Sequence, residues 1–115
     1  MKTASKKAKG RKLQDFVRDT LLTCFDSLEE DDIKSAIMGE SGEDIKLSPA
    51  ARRAIPYSFE CKNQERLNIW ASLQQAEDNC NSGSPVLIFK RNRSKVYAAI
   101  NIETFIKLIG EKNGE

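Results

Sequence analysis

The chain has no histidine and only three cysteines and three prolines in 115 residues. Without imidazole, a Ser-His or Cys-His nucleophile and a histidine-ligated metal are excluded, so any general base must be a carboxylate, a lysine or a metal-bound water. Cys24, Cys61 and Cys80 are odd in number and widely spaced, and they form neither a zinc pattern nor a disulfide framework. Each falls in an apolar stretch, and three buried thiols in a reducing compartment are expected. No apolar run approaches the ~20 residues that cross a bilayer, and the first residues lack the apolar core of a secretory signal. A single cytoplasmic domain (host cytoplasm for a viral chain) with no membrane partner is therefore expected.

Hydrophobic residues make up 39% and charged residues 31% of the chain, which suits a globular domain able to bury roughly two-thirds of its unfolded surface. The net charge of +2 is unevenly spread. Lys2, Lys6, Lys7, Lys9, Arg11 and Lys12 precede the first acid, Asp15, and a second group comprises Lys90, Arg91, Arg93 and Lys95. Acids collect at Glu29–Asp32. Two basic clusters point to a polyanion partner, against the plainer reading of a solvated tail and a hairpin turn.

Residues 1–8 read as a flexible basic arm and 9–115 as one domain. Leu13, Phe16/Val17, Leu21, Cys24 and Leu28 recur at helical spacing, which predicts a first helix from Gly10 to about Ser27. Ile33–Met38 is a β-favouring run, Glu43–Leu47 alternates charged and apolar residues, and Ala50–Ala54 is a connection. Ile55–Lys62 is the third strand, and Asn63 is placed to cap a helix over Glu65–Asn79 whose stripe is Ile69, Leu73, Ala76 and Cys80. Val86–Phe89 and Val96–Ile100 are strands, and Asn101 caps a last helix over Ile102–Ile109. The order α-β-β-β-α-β-β-α puts a helical crossover between strands three and four, hence an α/β fold with a mixed central sheet flanked by helices.

Glu60-Cys61-Lys62 follows Asp44 by 16 residues. On a strand, Glu-x-Lys puts a carboxylate and an ammonium on the same side. A second carboxylate from Gly42-Glu43-Asp44-Ile45 completes an acid–acid–lysine cluster able to hold a hard cation beside a phosphate. Each residue has a bland rival: an exposed Glu60–Lys62 ion pair, or a strand-end Asp44.

This cluster, within that element order, resembles the PD-(D/E)XK nuclease superfamily, with Glu43-Asp44 standing where the family has Pro-Asp. Lys9-Gly10 ahead of a helix, Ser41-Gly42 and Gln75-Ala76-Glu77 are similar to motifs of the archaeal-type Holliday-junction resolvases, although Gln14 replaces that family's helix acid. The resemblance implies a restriction-endonuclease-like core and a homodimeric, Mg²⁺-dependent endonuclease cutting branched DNA, with Mn²⁺ as a substitute ion. Asp44, Glu60 and the Cys61 backbone carbonyl would hold the metal; Lys62 and Gln75 (Gln74 as substitute) would complete catalysis. Lys9, Arg11, Gln14, Ser41, Arg52, Arg53 and Lys90 would contact DNA. A nicking or flap nuclease of the same superfamily, and a DNA-binding protein that has lost catalysis, are the alternatives. Trp70 is read as a packing or subunit-contact residue rather than a base-stacking one.

Overall fold

A computed structural model of the chain describes residues 3–112. Helix α1 (Thr3–Cys24) opens it, so the helix starts before the expected Gly10 and ends before Ser27. Residues 3–8, expected as an arm, belong to this helix; Lys2 lies outside the described residues. Alanine and lysine are good helix formers, and two tertiary contacts tie the early turns down. Asn63 donates to the Lys9 carbonyl at 3.4 Å, and Lys9 Nζ donates to Asn92 at 2.6 Å. Leu13 and Val17, four apart, bury against the sheets.

A 3₁₀ turn at Glu30–Asp32 leads into strands β1 (Ile33–Ser35) and β2 (Ile45–Leu47), an antiparallel pair in which Ser35 faces Ile45. The connection at Ala50–Ala54 is a short helix, α2 (Pro49–Ala54). Ser48 caps it by accepting from the Ala51 N–H at 3.1 Å, and Pro49 occupies its first turn, where a missing N–H costs nothing.

Strand β3 (Tyr57–Asn63) crosses through α3 (Ile69–Asp78) to β4 (Ser84–Lys90), which pairs parallel with it. Helix α3 begins later than expected because Asn68, not Asn63, caps it, accepting the Ala71 N–H at 3.0 Å. Strand β5 (Tyr97–Ala99) runs antiparallel on the far side of β4, and α4 (Ile102–Lys112) follows, capped as expected by Asn101.

The single mixed sheet expected from the sequence is divided into two ladders, β1-β2 and β3-β4-β5. They meet at Asp44, whose N–H donates to the Phe59 carbonyl at 3.0 Å. No ladder grows from this bond because the Asp44 carbonyl turns the other way, accepting from Ala36 at 2.8 Å.

The faces of β3 divide the molecule by parity. Phe59 and Cys61 join Leu13, Val17, Ile33, Ile45, Ala51, Ile55 and Val86 in the core beneath α1. The alternate residues Ser58, Glu60 and Lys62 take the opposite face, which α3 covers with the buried Ser72 and Ala76. Of the three thiols expected to be buried, only Cys61 is; Cys80 is half-buried and Cys24 exposed, because α1 turns that position away from the sheets.

Candidate active site

The outer edge of β3 is where the predicted residues converge. Tyr57, Phe59 and Cys61 present their backbone polar groups to this edge, since β4 occupies the other. Side chains and the start of β2 satisfy them. Arg52 Nη1 donates to the Tyr57 carbonyl at 2.7 Å, Asp44 N–H to Phe59, and the Cys61 N–H donates to Asp44 Oδ2 at 2.7 Å. The Asp44 carboxylate is thus fixed on the backbone of the residue between Glu60 and Lys62. The same parity turns the Cys61 carbonyl toward it.

Glu60 is 3% exposed. Its Oε1 accepts from Asn79 Nδ2 at 3.1 Å, and its Oε2 lies 3.7 Å from Lys62 Nζ. A buried carboxylate needs such partners. Burial pushes the Asp44 carboxyl above its ordinary range, opposed by the Cys61 N–H and by Lys62 and Lys46. Burial also raises Glu60, and the neighbouring Asp44 charge raises it further, against Asn79 and Lys62. Burial first, then these two carboxylates, pushes the Cys61 thiol far upward, so it is an inert core group and no nucleophile.

An open cleft of about 350 Å³ runs along this edge. It is lined by Gly10 and Gln14 of α1, the loop residues Ile37–Glu40, Asp44, Glu60, Cys61, Lys62, and Gln75 of α3. Gln75 is exposed to it, whereas the Gln74 amide is turned to Asp78 at 2.9 Å. Gln14 is 5% exposed, and its Oε1 is buried with no hydrogen-bond partner. An orphaned acceptor of this kind calls for a cation, a donor or a water.

The donor set suits a hard divalent cation: two carboxylates, the free Gln14 oxygen and a backbone carbonyl, all oxygens. Among the described residues no group of three or more His, Cys, Asp or Glu side chains is placed to bind a metal, so neutral oxygens must supply what a third acid would. Asp44, Glu60 and Cys61 would hold the ion, with Gln14 beside them.

The residues expected at DNA are not gathered in one place. Gln14 lines the cleft, and Lys9 precedes its lining residue Gly10 with its ammonium held by Asn92. Arg11 and Arg53 are exposed on α1 and α2. Ser41 is exposed just beyond the lining residue Glu40, its carbonyl accepting from Lys46 at 3.2 Å. Lys90 lies at the end of β4, lining a different hollow. Arg52 is the departure: Nη2 pairs with the buried Glu43 at 2.6 Å and Nη1 with Tyr57, so its guanidinium braces the β3 edge.

Trp70 is 82% exposed, which removes the packing role within one chain. Two contributors gave no sequence signal, Asn79 and the Glu43–Arg52 pair; both act through contacts made only when α3 and α2 fold onto β3. The chain matches no protein-family model, no curated protein and no solved structure.

Proposed function

We propose that this chain is a divalent-metal-dependent DNA endonuclease with a restriction-endonuclease-like core, cutting branched DNA as a homodimer. The observation that carries this reading is that Glu60 and Lys62, expected together from strand alternation, and Asp44 and Gln75, singled out by the family resemblance, line one open cleft together with an unpartnered Gln14 oxygen.

A bound Mg²⁺ supplies a lowered pKa for coordinated water and charge neutralisation at the phosphate. The chain's own groups do the rest. Lys62 is steered by Glu60, which Asn79 holds in turn, so the ammonium stands at the cleft wall to orient the attacking water and offset charge growing on phosphate oxygens. The exposed Gln75 amide donates to a phosphate oxygen from the α3 side. As the water oxygen bonds to phosphorus, the bond to the leaving sugar oxygen breaks and that oxygen takes up a proton. Lys9, Arg11 and Arg53 give a basic approach along the backbone of the nucleic acid.

A two-fold dimer would set two such clefts against two strands. Helix α4 supports it: Ile102, Phe105 and Ile106 point outward while Thr104 is buried against the body. The Glu40 carboxylate on the cleft is taken up by the Ile37 N–H and Lys46, and among the described residues no third acid is grouped with Asp44 and Glu60, where Gln14 stands; this favours the second reading, a DNA-binding protein without hydrolysis.

A cleavage assay with and without Mg²⁺, comparing four-way junction, flap, single-stranded and linear duplex DNA, tests both. Hydrolysis only with the ion, lost in Glu60→Ala and Lys62→Ala, is the expected result. Equal cutting of all four substrates removes the preference for branched DNA. Binding without cutting by the folded protein leaves the second reading.

A further inference from the structure

A second open hollow, of about 330 Å³, lies beyond the C-terminal ends of the parallel strands β3 and β4. Its floor is apolar, from Leu67 and Ile69, and its wall is the pair Phe89 and Tyr97, directly opposite on β4 and β5 with ring centroids 6.0 Å apart and planes tilted by 32°. Tyr97 is 54% exposed, so much of its ring is in water beside the hollow. A cross-strand aromatic pair that served only the core would turn this surface inward.

The hollow's lining carries two cations, Lys90 at the end of β4 and Arg91 just after it, against one carboxylate, Glu65, which is engaged by the Asn92 N–H. Arg66, Arg93 and Lys95 belong to the loop segments that supply the lining residues Gln64, Glu65, Leu67 and Ser94. Arg93 has φ of 62°, a conformation that favours glycine or asparagine, within a turn closed by the Ser94 N–H on the Arg91 carbonyl at 3.1 Å. The hollow adjoins the cleft already described. Gln64, on its lining, follows Lys62 two residues on, roughly 7 Å along the strand direction. Lys9 ties the two together, preceding a cleft residue while its ammonium holds Asn92 of the basic turn.

We propose that this hollow binds an unpaired nucleotide of single-stranded DNA, its base stacked on Tyr97 and Phe89 and its phosphate held by Arg91 and Lys90. An aromatic face edged by cations is what a flexible strand uses, because every base has a π-face and every nucleotide a phosphate. A paired base is already stacked inside its duplex and offers no free face to the ring. The inference deepens, and rests on, the reading of the chain as a DNA enzyme: the substrate would carry unpaired bases next to the scissile phosphate.

The test is fluorescence anisotropy on the full chain in EDTA, with labelled oligothymidylate and a labelled duplex of the same length. Tyr97→Ala should weaken oligothymidylate binding about tenfold with little change for duplex. Tyr97→Phe keeps the ring and should bind as the original chain does. Arg91→Ala should lower the slope of log affinity against log salt by about one. Unchanged oligothymidylate affinity in Tyr97→Ala, or an equal loss for duplex, overturns the proposal. Mg²⁺ cleavage measured on the same proteins separates the two readings. Cutting by a chain indifferent to Tyr97 removes the subsite alone, whereas Tyr97-dependent binding in a chain that never cuts removes hydrolysis and leaves the subsite standing.

Discussion

Asp44 accepts the backbone N–H of Cys61 at 2.7 Å, so a carboxylate from one ladder closes the edge of the other. The contact has two components that substitutions can separate. In Asp44→Asn the amide oxygen still accepts the N–H while the charge is gone. Stability should stay within about 1 kcal/mol, and cleavage should disappear. Asp44→Ala leaves the N–H without its charged acceptor and should cost about 2 kcal/mol. Urea melts beside the cleavage assay check both. Activity surviving in Asp44→Asn would remove this carboxylate from the chemistry.

The raised carboxyls of Asp44 and Glu60 give the protein a pH signature. Between the ordinary carboxylate range and the raised values, the folded state holds protons that the unfolded state has released. Unfolding then releases protons, so stability rises as pH falls through the raised values and declines as pH rises through them. Asp32 and Glu40, both lowered by hydrogen bonds, work in the opposite direction. Their contribution cancels when the chain is compared with an Asp44→Asn, Glu60→Gln variant. The variant should gain in Tm over the parent where both carboxyls are ionised, above their raised values, and lose that gain as pH falls toward the ordinary carboxylate range. Mg²⁺ should raise the parent's Tm more at the higher pH, because the ion competes with those protons, and should leave the variant unmoved. Thermal scans with the ion and after chelation measure both effects.

Much of this site was legible because its signals are short-range. Alternation placed Glu60 and Lys62 on one face of β3, and helical spacing placed Leu13 and Val17 in the core. Asn101 was identifiable as a cap from its place before an apolar helix. What escaped depends on contacts between distant segments. Arg52 carries the same charge as Arg53, and only the fold of α2 sends one to Glu43 and leaves the other in solvent. The start of α1 was missed because a run of lysines reads as a tail until Asn63 and Asn92 hold Lys9. Gly83 gave no functional signal either, yet its φ is 78° and a Cβ there would sit 2.4 Å from the Pro56 carbonyl oxygen. It lets β4 begin against β3 where no side chain fits.

The Arg52–Glu43 pair predicts different outcomes for adjacent arginines. Removing Arg52 leaves Glu43, 6% exposed, without its cation and uncovers the Tyr57 carbonyl. Arg52→Ala should therefore cost about 3 kcal/mol of stability. Arg53→Ala should change stability by less than about 0.5 kcal/mol and act instead on DNA affinity. Denaturant midpoints and salt-dependent binding separate the two. A stable Arg52→Ala protein with weakened DNA binding would return Arg52 to the phosphate-contact role.

Helix α4 sets up the test of the dimer. Ile102, Phe105 and Ile106 are 68%, 48% and 57% exposed, and their spacing puts them on one side of the helix, away from the buried Thr104. Exposed apolar side chains grouped on one helix side are what an interaction site presents, and the proposed dimer rests on them. The α4 sequence balances Glu103 and Glu111 with Lys107 and Lys112, whereas helices that lie on anionic membranes are rich in lysine and arginine. A neutral, apolar surface also meets its own copy without like-charge repulsion, which suits a two-fold contact. The chain should sediment at twice its 12.9 kDa mass. Ile106→Glu should give a monomer with unchanged helix content, because the Asn101 cap and Thr104 are untouched. If the clefts act in pairs, that monomer should still nick one strand of a junction but lose coupled cutting of the second. A parent chain that remains monomeric at tens of micromolar, a concentration at which specific interfaces are occupied, would dismiss the dimer and leave each cleft acting alone.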